Sequence, residues 1–161
     1  MSVRNDRMNT AAHGSSAAIA AAALLVALML GLAVPAVAQD WPSWRGRGQT
    51  GVSDETGLVS SWSPDGENLI WSDSWVGRST PAVFDGRVCS NGRSGSGVDE
   101  QEVVACWNAE TGDKLWQHSF NVLNTTVPFN RVGWGSVTGD PGTGYLYAMN
   151  IDGHLNVFDR D

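Results

Sequence analysis

The chain has 161 residues, with 17 acidic against 10 basic side chains and a formal net charge of −7. A surface of that sign does not neutralise phosphates, which excludes nucleic acid as a partner. Eight tryptophans stand against a single lysine, and Gly, Ser, Thr and Val dominate after residue 39 while helix formers are sparse, so the expected class is all-β.

In chain order, the first element is an export signal. Arg4 and Arg7 give a positive start, Ile19 to Val34 form an apolar run, and Ala36-Val37-Ala38 supplies an A-x-A cleavage pattern. Residues 1–38 are therefore expected to be a signal peptide, and the mature chain, starting at Gln39, to be periplasmic or extracellular. No membrane span is expected after cleavage. Losing Arg4, Asp6 and Arg7 takes the 10 basic and 17 acidic residues to 8 and 16, so the exported part is still more acidic.

Residues 39–77 hold Trp41-Pro42, several glycines and the turn signal "SPDGEN", and read as an extended lead-in tied down by its aromatics. Regular structure is expected over residues 78–161. "STPAVF" reads as a strand, Asp85-Gly86 as a two-residue type I′ turn and "RVCS" as the return strand. A Gly/Ser loop follows, and the acidic cluster Asp99, Glu100 and Glu102 reads as its solvated flank.

"EVVACW" is the next strand, and "NAETGDKLW" turns the chain into the following one. Asn108 can bond the backbone ahead of it, and Gly112 suits the positive φ needed to rejoin a strand, so the stretch is a hairpin joint rather than a catalytic site. Trp116, on the strand it opens, is a packing residue. The pattern then returns as "GSVT", a Gly/Pro turn over 139–144, "YLYAMN", the Asp152-Gly153 turn and "HLNVFDRD". Asn108 and Asp159 lie 51 residues apart, and Trp71 and Trp116 lie 45 apart, which is the blade length of a radially repeated β-sheet protein. The expected architecture is a partial β-propeller of four-stranded antiparallel blades: about two blades plus the lead-in, with "FDRD" opening another joint.

"NAETGDKLW" resembles the A-x-D-x-x-T-G-x-x-x-W joint of the pyrroloquinoline-quinone-like (PQQ-like) β-propeller repeat family. The stretch "DWPSWRGRGQTGVSDETGL", with Trp62 and Trp71 after it, is similar to the amino-terminal lead-in of its secreted bacterial members. Asn108 departs from the family's usual Asp, and Arg47 from its usual Pro. The resemblance implies a propeller, with Arg78 and Arg131, each ahead of a blade's first strand, facing the central channel. Members that bind PQQ would carry an adjacent Cys-Cys pair, an Asp base and calcium ligands. The chain has no adjacent cysteines and no calcium-loop spacing, since "NIDGH" reads better as a turn between strands.

Other chemistry is equally sparse. His118 and His154 fall on different units with no third metal ligand in view, and neither a nucleophile elbow nor a P-loop occurs. "NTT" at 124–126 matches an N-glycosylation sequon without a eukaryotic context to use it. No catalytic residue, metal site or bound cofactor is expected in this stretch. The first reading is an exported non-enzymatic scaffold for other proteins or cell-envelope components. The second is the amino-terminal part of a PQQ- and calcium-dependent alcohol or sugar dehydrogenase, and the third a surface carbohydrate-binding or adhesion module.

Cys89 and Cys106 lie on strands expected to be antiparallel neighbours, and an oxidising compartment permits a bridge. In the second unit Cys89 falls on Tyr147 and Cys106 on Val157, whereas a two-residue Asp152-Gly153 turn pairs Tyr147 with Phe158. That one-residue slip puts side chains on opposite faces, so the sequence leaves the bridge open.

Overall fold

The computed structural model describes residues 38–122 and 131–160. The export signal, apart from Ala38, the sequon at 124–126 and Asp161 lie outside the described residues.

The fold is all-β. Strands β1 (Ala82–Phe84), β2 (Arg87–Ser94), β3 (Gln101–Asn108) and β4 (Lys114–Asn121) form one antiparallel meander, and β5 (Thr138–Gly139), β6 (Leu146–Met149) and β7 (Leu155–Phe158) form a second. The lead-in is extended apart from a 3-10 turn at Arg47–Gln49. It is fastened by a two-way bridge between the Trp41 and Val83 backbones and by the Gly139 amide donating to the Pro42 carbonyl at 2.7 Å.

Three sequence expectations are corrected. The strand beginning "RVCS" does not stop there: β2 runs on to Ser94, because Gly92 lets the Trp75 indole lie against the strand while the pairing with β3 continues to Gln101. The acidic cluster is not a solvated flank, since only Asp99 is exposed while Glu100 and Glu102 are buried. The two Asp-Gly turns also differ. Asp85 and Gly86 both have positive φ, 52° and 69°, as a two-residue type I′ turn requires. At the second turn only Gly153 does, at 85°, and the Asn150 amide donates to the His154 carbonyl while the Gly153 amide donates to Asn150. This is a three-residue loop closed by a left-handed glycine, so Tyr147 pairs with Val157, not with Phe158.

The core lies between the two sheets. Ala82, Phe84, Cys89, Val104 and Cys106 pack against Val137, Leu146 and Ala148, and Trp116, Phe120 and Phe158 close its outer end. Trp116 stacks on Phe158 with ring centroids 5.0 Å apart. Gly139 sits where any β-carbon would occupy the Phe84 ring, so β5 can approach β1 closely only with glycine there.

Candidate functional site

The joint at 108–116 is built as its residue types dictate. The Asn108 side-chain oxygen accepts from the amides of Glu110 and Thr111 at 2.9 and 3.0 Å, and the Gly112 amide donates to the Asn108 carbonyl at 2.9 Å. Gly112 takes φ 76°, and a β-carbon there would stand 2.6 Å from the Trp71 ring. Trp71 lies over this glycine and donates from Nε1 to the Ala109 carbonyl at 2.8 Å, clamping the lead-in to the joint. The turn after β5 repeats the device: Asp140 accepts from the Gly142 amide and the Thr143 hydroxyl at 2.9 and 2.7 Å, and Gly144 takes φ 78°. Those bonds, the Thr143 hydroxyl first, hold the Asp140 carboxyl below its ordinary value of 3.8.

Glu102 is the principal polar lock between the sheets, and sequence reasoning missed it. Its carboxylate accepts from the Asn91 side-chain amide at 2.9 Å, the Gly133 amide at 3.3 Å and the Ile151 amide at 2.6 Å. A buried carboxylate with three donors is satisfied without a cation. At the other end of the seam, Asp85 pairs with Arg160 at 2.8 Å and Arg87 at 3.3 Å, and Arg87 also donates to the Gly144 carbonyl at 2.8 Å. Cys89 and Cys106 are directly opposed, with Cα atoms 4.1 Å apart, and are disulfide-bonded.

The remaining candidates disperse. His118 packs against Phe120 and Phe158, and His154 caps the β6–β7 loop with its backbone. Among the described residues, no group of three or more His, Cys, Asp or Glu side chains could hold a metal ion. Arg78 lies over the Trp134 ring, its guanidinium carbon 5.7 Å from the centroid. Arg131 and Trp134 line a cavity of about 250 Å³ that reaches Glu102, so the two arginines border one region between the sheets' loops. Among the described residues, no helix is long and apolar enough to cross a membrane.

The sheets stack in one direction. The row Ala82, Cys89, Cys106 and Trp116 faces the second sheet, and the opposite face of the first sheet, including Val88 and Trp107, is covered by Trp71 and Trp75. The matching row of the second sheet, Thr138, Tyr147 and Val157, faces away from the first. There Met149, Leu155 and Val157 are each more than half exposed.

No protein-family model, curated protein or solved structure matches the sequence.

Proposed function

We propose that the chain is an incomplete β-propeller of the PQQ-like repeat kind, exported, and acting as a non-enzymatic binding or assembly scaffold for other proteins or cell-envelope components. The observation that carries this reading is the head-to-tail stacking of the two sheets. Equivalent rows point the same way, so the contact between sheets is heterologous, and repeating such a contact generates a ring or an open array rather than a closed pair. The joint at Asn108, with Trp71 docked on Gly112, supports the family assignment.

A scaffold of this kind has an apolar forward face to offer and no need of a redox centre. Purified protein is mixed with PQQ, calcium and a panel of primary alcohols and aldoses while reduction of an artificial dye is followed. No substrate-dependent reduction above a protein-free control is expected. Reduction that is lost on chelation overturns the scaffold and supports the dehydrogenase. Mass spectrometry of the periplasmic or secreted product tests export through an amino terminus at Gln39.

A further inference from the structure

On the face of the first sheet turned away from the second lies a pocket of about 260 Å³, walled by Trp71, Trp75 and Trp107, with Asp73, Ser79 and Val88 completing it. The rings of Trp75 and Trp107 stand at 83° with centroids 4.8 Å apart, forming two walls of a corner. Their setting is fixed from behind: Gly77 and Gly92 carry the edge of Trp75, and Trp107 Nε1 donates to Asp73 Oδ2 at 2.7 Å. Trp71 Nε1 is bound to Ala109. The N–H groups of Trp71 and Trp107 are thus committed, and Trp107 is only 3% exposed, which leaves the half-buried rings of Trp71 and Trp75, the small open part of Trp107 and the second oxygen of Asp73 to meet a ligand.

A cation already rests in this corner. Lys114, the only lysine in the chain, places Nζ 5.6 and 5.5 Å from the ring centroids of Trp75 and Trp107 and 3.7 Å from Asp73 Oδ2. Those ring distances are near the outer limit of about 6 Å for a cation–π contact. The lysine is also half solvated, with Gln117 as its other partner at 3.3 Å. A primary ammonium keeps its N–H groups toward water and carboxylate, so it uses the indole faces poorly. A quaternary ammonium has no N–H to desolvate, and its methyl groups match apolar walls while its charge meets the ring quadrupoles and Asp73.

We propose that this corner binds a trimethylammonium group, as in choline or a choline headgroup, with Trp75 and Trp107 against the cation, Asp73 neutralising it, and Lys114 swinging into solvent as the ligand enters. The site stands independently of the scaffold reading. Lys114 is then a competitor of the ligand, and removing its charge strengthens binding.

Isothermal titration of the full chain with choline chloride against matched sodium chloride tests the site. Saturable binding is expected, weakened about tenfold by Asp73→Asn, tightened by Lys114→Gln, and weaker by at least about tenfold for the neutral isostere 3,3-dimethyl-1-butanol. The isostere is measured on the unaltered chain, so that arm does not depend on any variant folding. Phosphatidylcholine vesicles form a second arm: binding to both probes marks a lipid headgroup as the source, and binding to choline alone marks a free solute. Equal affinity for the neutral isostere, undiminished binding by Asp73→Asn, or no saturable heat with either the unaltered chain or Lys114→Gln overturns the proposal.

Discussion

The two sheets are written in the same grammar and sealed to different degrees. The first has four strands, with Cys89 and Cys106 facing the second sheet and Trp107 facing the tryptophans of the lead-in, so both of its faces are covered. The second has three strands, and only the side bearing Leu146 and Ala148 is covered, while Met149, Leu155 and Val157 meet solvent. An antiparallel sheet can tolerate one wet face, but such a face usually carries polar residues in alternation. Here β6 and β7 are apolar on both sides apart from Asn156, which is the pattern of a sheet made to be covered twice.

Cutting the seam between the sheets is expected to have the largest effect. Glu102→Ala strands the Asn91 side-chain amide and the Gly133 and Ile151 amides in a buried setting. A loss of about 3–5 kcal/mol is expected in denaturant unfolding at fixed protein concentration. A loss below 1 kcal/mol would mean that Glu102 is not the lock, and that apolar contacts with the Asp85–Arg160 and Arg87–Gly144 pairs hold the second sheet. The first sheet carries its own staple, across a sequence separation of 17. Replacing Cys89 and Cys106 by Ala is expected to cost about 3 kcal/mol through the freed loop of the unfolded chain. Two reactive thiols in the denatured, unreduced protein would show that the bridge does not form.

The sequence announced the joint at Asn108 because every device in it is local: an Asx side chain, a left-handed glycine and a tryptophan within nine residues. Glu102 was illegible for the opposite reason. Its donors at Gly133 and Ile151 lie 31 and 49 residues away, and next to Asp99 and Glu100 it looks like one more solvated acid. The second Asp-Gly turn failed because the dipeptide does not set loop length. Both residues would need positive φ for a two-residue turn, and Ile151 joins the loop instead. The corner of Trp75 and Trp107 was hidden in the same way: tryptophan content predicts packing, not which ring faces stay open.

Smaller perturbations sharpen the contrast. Gly112→Ala places a methyl group 2.6 Å from the Trp71 ring at φ 76° and is expected to cost about 2 kcal/mol, read from the same unfolding curve. Because Trp71 sits over this glycine, a change in tryptophan fluorescence should accompany it. On the open face, Leu155→Lys with Val157→Lys is expected to alter folding stability by less than about 1 kcal/mol, since both side chains are more than half exposed. The same pair should lower the sedimentation coefficient at high concentration by weakening association through that face. An unchanged concentration dependence would mean that the open face is not the surface through which copies associate.

The smallest effect lies in the turn that leads into the second sheet. Asp140 is partly exposed, and its carboxyl is held below 3.8 first by the Thr143 hydroxyl and then by the Gly142 amide. A carboxyl whose folded pKa is depressed binds fewer protons in the folded than in the unfolded state. Its stabilisation is therefore present above 3.8 and is lost as the pH falls through the lower folded value. Thr143→Val removes the leading cause while keeping the side-chain shape, so its unfolding midpoint should sit slightly below that of the unaltered chain at neutral pH. The two midpoints should converge on acidification below 3.8. The counterpart at Asn108 carries an uncharged amide that accepts from the Glu110 and Thr111 backbone amides in the same turn geometry, and Asn108→Ala there should shift the midpoint equally at both pH values. A Thr143→Val difference that stays constant through the acid limb would mean that the hydroxyl orders the turn without favouring the charged carboxylate.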